Sequence, residues 1–105
     1  MTEEKTFELQ YLLKQLDKEG GYFLDFLKVR HLEAGIIVLH PGAIDMQTTH
    51  SADELYYIIE GNGIIELGTS SKPIKKGSIA FVPAGLHHRF YGNKEDLVVL
   101  YMFAE

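Results

Sequence analysis

Three side chains carry the chemistry this sequence can offer: His50, Glu54 and His88. Two imidazoles and one carboxylate are the donor set of open, facially coordinated metal centres, and they suit Fe(II), Mn, Ni, Co or Zn. His50 and Glu54 flank Ser51-Ala52-Asp53, so the first is expected to close one strand and the second to open the next. Both side chains can then meet at a corner. His88 follows Pro83-Ala84-Gly85 at the entry to another strand.

Alternation along a strand extends the prediction to neighbours. With Glu54 pointing inward, Tyr56 and Ile58 point inward too, while Leu55, Tyr57 and Ile59 face outward or toward a partner. With His88 inward, Phe90 follows it, and His87, Arg89 and Tyr91 turn away. Tyr56 could donate a hydrogen bond or a proton to a bound oxyanion; equally, it could fill the interior with its hydroxyl on a backbone carbonyl. His31 and His40 stand apart from this group.

The elements that must position these residues are mostly strands. Apolar residues at 9, 12, 13 and 16 mark one helical face within 7–16, and Gly20-Gly21 supplies its stop. After Tyr22, short apolar runs occur at 23–27, 36–39, 55–59, 63–67, 79–82, 88–91 and 97–103. Between them, turns are expected at Glu33-Ala34-Gly35, His40-Pro41-Gly42, Gly68 to Pro73, Lys75-Lys76-Gly77, Pro83-Ala84-Gly85 and Gly92-Asn93-Lys94, with a hairpin at Gly61-Asn62-Gly63. Many short strands at regular spacing predict an all-β antiparallel sandwich or barrel.

The punctuation around the three donors is specific. Gly42 is followed by five residues, Thr48-x-His50, three residues, Glu54, six residues and Gly61; Gly77 is followed by five residues, Pro83-x-Gly85, two residues and His88. These runs resemble the paired signatures of the cupin superfamily, G-x5-H-x-H-x3-4-E-x6-G and G-x5-P-x-G-x2-H-x3-N. The resemblance implies a cupin-type jelly-roll β-barrel with one short N-terminal helix. It makes 1–105 a single domain, with a helical segment at 1–21 and the barrel at 22–105. It also implies one divalent transition metal on His50, Glu54 and His88.

Two positions depart from the pattern: Thr48 replaces the first histidine, and Gly92 replaces the final asparagine, with Asn93 beside it. Thr48 removes one imidazole from the usual four-ligand shell. Water could fill that position, or the Gln47 amide oxygen could, if the strand bulges at Thr48-Thr49. The stretch from Asp45 to Tyr57 also looks like a group of small single-domain cupins.

What the resemblance implies for function is metal-dependent chemistry of dioxygenase, lyase or isomerase type on a small oxygen-rich organic molecule. The alternatives are a non-catalytic small-molecule-binding or sensor cupin, and a metal-free scaffold.

Composition narrows the partners. The chain has 105 residues, 46% of them hydrophobic, with 10 Lys and Arg against 15 Asp and Glu for a net charge of −5. Lys72, Lys75 and Lys76 form its one basic cluster, which is no nucleic-acid footprint. Cysteine is absent, which excludes disulfides and thiolate ligands. The acidic start and the short longest apolar run, 97–104, predict a cytoplasmic chain with no membrane contact. The outward set Leu55, Tyr57 and Ile59, together with the apolar helix face, predicts a homodimer.

Overall fold

The computed structural model describes residues 3–45 and 50–104. One helix, α1 (Leu9–Glu19), precedes eight strands: β1 (Phe23–Val29), β2 (Leu32–Leu39), β3 (Asp53–Glu60), β4 (Asn62–Leu67), β5 (Ser70–Lys75), β6 (Ile79–Val82), β7 (His88–Tyr91) and β8 (Leu97–Ala104). They form a five-stranded sheet, β1-β2-β8-β3-β6, and a three-stranded sheet, β5-β4-β7. Every pairing is antiparallel. The arrangement is that of the expected jelly-roll β-barrel.

The core is the space between the sheets. Ile37 and Leu39 of β2, Leu97, Val99 and Tyr101 of β8, and Tyr56 and Ile58 of β3 meet Ile65, Ile74 and Phe90 of the smaller sheet. Alternate residues of the larger sheet face the other way, where α1 lies. Leu12 and Leu16 are buried there against Ile36, with Leu9, Leu13, Leu24, Phe26, Val38 and Leu100 around them. The predicted helical face therefore covers the outside of the large sheet over β1, β2 and β8. Gly20 ends the helix in the left-handed conformation, its N–H donating to the Leu16 carbonyl at 3.0 Å. No helix among the described residues is long and apolar enough to cross a membrane.

Three expected turns are corrected. Glu33-Ala34-Gly35 lies inside β2, and the chain reverses at Arg30-His31 instead. Gly35 serves close approach rather than a turn: the Tyr101 ring lies across it, where a Cβ would collide with the phenol. The Gly68 to Pro73 turn shrinks to Gly68-Thr69, and Ser70–Lys75 is a strand. Pro73 is tolerated because β5 is an edge strand, where a missing N–H costs no ladder bond. Gly61-Asn62-Gly63 makes no hairpin, since β3 and β4 belong to different sheets. Gly61 instead lets the chain pass close to the Asp96 carbonyl as it crosses between them.

The outward alternation of β3 is as expected, and β6 continues it. Leu55 is registered with Phe81 and Tyr57 with Ile79. Leu55, Phe81, Tyr57 and Ile79 are 37%, 59%, 40% and 67% exposed, an apolar patch at the β6 edge.

Gly35→Ala is expected to lower stability by about 2 kcal/mol, the scale of overpacking at a tight site. Urea denaturation checks it; an unchanged midpoint would show that Tyr101 does not depend on the gap.

Candidate metal centre

The donors come from three places. Glu54 is the second residue of β3 in the large sheet, and His88 opens β7 in the small one. His50 lies in the bend before β3. Two hydrogen bonds fasten this bend to the turn that leads into β7. The Gly85 N–H donates to the His50 carbonyl at 2.7 Å, and the Ala84 N–H donates to Asp53 Oδ1 at 2.9 Å. The Phe103 ring, 4.4 Å from that of His50, packs beside it.

Glu54 and His88 are each only 2% exposed. His88 Nδ1 is 2.9 Å from the Leu86 carbonyl, so in the neutral ring this nitrogen donates and Nε2 presents its lone pair inward. His88 Nε2 stands 3.2 Å from Glu54 Oε1, and His50 Nε2 stands 4.0 Å from the same oxygen. Yet His50 Nε2, both Glu54 oxygens and His88 Nε2 are buried without an aligned hydrogen-bond partner. One donor atom from each residue lies within 4.8 Å of the others. Donors bound to one ion at about 2.1 Å stand roughly 3 to 4 Å apart. The cluster is thus positioned for a metal, its donor atoms gathered at metal-binding separation.

Burial pulls the His88 pKa down. The Glu54 carboxylate 3.2 Å from Nε2 and the Leu86 carbonyl on Nδ1, with the charges of Glu54 and Asp45, outweigh it and leave the value raised.

The parity expectations hold around the site. Tyr56 is buried two residues beyond Glu54, its ring 5.8 Å from His88 and edge-on to Phe90 at 4.9 Å. His87 and Arg89 point away, toward Glu66. His40 pairs with Asp96 at 2.7 Å on the surface, apart from the donors. Gln47 and Thr48 lie outside the described residues.

Sequence reasoning missed two carboxylates. Asp45 is buried and accepts the Phe90 N–H at 2.8 Å, tying the segment before the bend to β7. Its other oxygen accepts from the Tyr22 hydroxyl at 3.4 Å. Asp25, across Gly35 from Tyr101, accepts that phenol's hydrogen bond at 3.2 Å. Partial burial, the hydrogen bond to Glu33 and the Glu33 charge raise the Asp25 pKa to about 6, against the smaller opposing effects of Tyr101 and Lys28. Only the periodic apolar pattern was visible in sequence; these contacts join residues 45 and 76 positions apart.

Comparison with known proteins gives the family. A family model described as "Cupin domain" matches residues 35–103. The chain belongs to the cupin family. An uncharacterized protein of Streptomyces coelicolor is 35% identical over 100 residues, covering 95% of both chains. An acireductone dioxygenase of Leptospira biflexa is 33% identical over 92 residues, which are 84% of this cupin but 52% of that enzyme. A crystal structure of a Thermus thermophilus protein superposes with a TM-score of 0.78 at 20% identity, covering 96% of this chain and 97% of the other.

The Asp25 pKa yields a test of sign. Raised from 3.8 to about 6, it favours the folded state at low pH, and that contribution is lost as pH rises through about 6. Asp25→Asn does not titrate, so its melting temperature relative to the unsubstituted protein should increase between pH 4 and pH 7. A difference that stays flat across this range would rule the shift out.

Proposed function

We propose that this cupin is a metalloenzyme that holds one divalent transition metal (Fe, Mn, Ni, Co or Zn) through His50, Glu54 and His88 and acts on a small oxygen-rich organic molecule. The observation that carries the reading is the convergence of donor atoms from three residues, each atom buried and without a hydrogen-bond partner. A buried carboxylate without compensation is costly, and an ion offsets that cost for all three groups at once. Gln47 is a candidate further ligand in place of the imidazole lacking at Thr48.

A metal so held supplies Lewis acidity and open coordination positions for a chelating oxygen ligand. The chain's own groups do the rest. Leu86 fixes the His88 tautomer through Nδ1, so that Nε2 stays available. Phe103 backs the His50 ring. Tyr56, on the same face as Glu54, is the group proposed to hold a proton for an oxygen of the substrate. The reaction type is proposed as dioxygenase- or lyase-like. Similarity to the acireductone dioxygenase supports the oxidative choice, although this chain spans about half of that enzyme.

The protein is also proposed to act as a homodimer. The patch of Leu55, Tyr57, Ile79 and Phe81 is wide, apolar and at the sheet edge, and a two-fold copy would cover it.

Metal analysis of protein purified without chelator or nickel resin should show near-stoichiometric metal. His50→Ala, Glu54→Ala and His88→Ala should each lose most of it, while His31→Ala and His40→Ala keep it. Equal metal in both sets would sink the assignment. Sedimentation velocity at micromolar concentration should show a dimer, shifted toward monomer by Phe81→Asp; a monomeric unsubstituted protein would refute that state.

A further inference from the structure

Asp45 is a buried acid outside the three-donor cluster. It is not a donor itself: the convergent group among the described residues is His50, Glu54 and His88. Its place beside them is nevertheless fixed. β7 is an edge of the small sheet, where it pairs with β4. On the other side of β7, Asp45 Oδ2 accepts the Phe90 N–H at 2.8 Å. Phe90 lies two residues beyond His88, about 7 Å along the strand. The Asp45 side chain therefore joins the chain that leads toward the His50 bend to the strand that carries His88.

We propose that Asp45 is the outer carboxylate of the metal centre, a residue that positions His88 through β7 and offsets the charge of the bound ion without binding it. The inference rests on the metal reading above and deepens it.

A neutral acceptor would satisfy the Phe90 amide, so the hydrogen bond alone does not call for an acid. Charge does. An ion of charge +2 on two neutral imidazoles and the Glu54 carboxylate leaves the buried centre with one net positive charge. A residual charge in such surroundings is costly, and a carboxylate nearby offsets it. Asp45 is 7% exposed, so solvent screens its field little. That field reaches the site: together with the charge of Glu54, the charge of Asp45 favours a cationic His88 ring. The Tyr22 hydroxyl, donating to Oδ1 at 3.4 Å, helps hold the carboxylate in place. Asp53 offers a contrast. It also accepts an amide of this region, that of Ala84, but from an exposed position where its charge is screened.

The opposing possibility is that Asp45 only caps the Phe90 amide. Asp45→Asn separates the two, because the amide oxygen can still accept that N–H while the charge is lost. Competition with a chromophoric chelator reads Co(II) affinity, and the visible spectrum of the Co(II)-loaded protein reads azide binding to the ion. Asp45→Asn should stay folded and bind Co(II) about tenfold to a hundredfold more weakly. It should also bind azide about fivefold more tightly, since one negative charge near the ion is gone. Opposite movements of cation and anion mark a lost charge; a loosened site would weaken both.

If Asp45→Asn binds Co(II) as tightly as the unsubstituted protein, the residue is an amide cap and the proposal falls. If Co(II) weakens and azide does not tighten, Asp45 acts through packing alone and its charge role is refuted. Should Asp45→Asn not fold, the smaller uncharged Asp45→Ser carries the same two readouts, and loss of the fold in both overturns the proposal. An unsubstituted protein that binds no Co(II) refutes the metal reading itself, a result distinct from every outcome with the variants.

Discussion

The burial of one carboxylate governs this molecule. Glu54 sits at the sheet interface, where an uncompensated charge costs several kcal/mol. Its nearest polar neighbours, His50 and His88, approach it without satisfying it. The surrounding structure keeps all three in place: β3 supplies the acid, β7 supplies one imidazole, and backbone bonds from the 83–85 turn hold the bend that supplies the other. The polar strain at this point is local and is held by a core that is otherwise apolar.

That core explains why the strain is tolerated. Packing between the sheets is dominated by branched aliphatic and aromatic side chains, and α1 covers the outer face of the large sheet over β1, β2 and β8. Tyr101 links the two ends of this design. Its ring belongs to the core, its hydroxyl reaches the Asp25 carboxylate at the edge strand, and Gly35 gives it room to do both. Asp45 plays a related part for β7, accepting an N–H that the pairing with β4 leaves free.

Much of this was legible in the sequence because it depends on short periods. Alternation from Glu54 to Ile58 and from His88 to Phe90 sorted inward from outward residues, and the 3.6-residue spacing of Leu9 to Leu16 placed the helix face. The three donors followed from their types and the glycines around them. Glycine misled wherever its purpose was tertiary. Gly35 answers a ring from a strand 66 positions away, and Gly61 answers the Asp96 backbone; neither need leaves a trace nearby in sequence. Strand β5 was hidden by Pro73 and its serines, which an edge position permits. The roles of Asp25 and Asp45 depend on which strands lie side by side, and composition is silent on that.

The sheet margins differ in a way that limits how this molecule can associate. β5 carries Lys72, Pro73 and Lys75, and β1 carries a bulge after Asp25 together with Lys28. Both are poor templates for another strand. β6 has no charge and exposes Ile79 and Phe81. Of the two margins of the large sheet, β6 is therefore the one suited to edge-to-edge contact. A sheet with one adhesive margin and one blunted margin lacks the pair of sticky edges that open-ended stacking of that sheet would need.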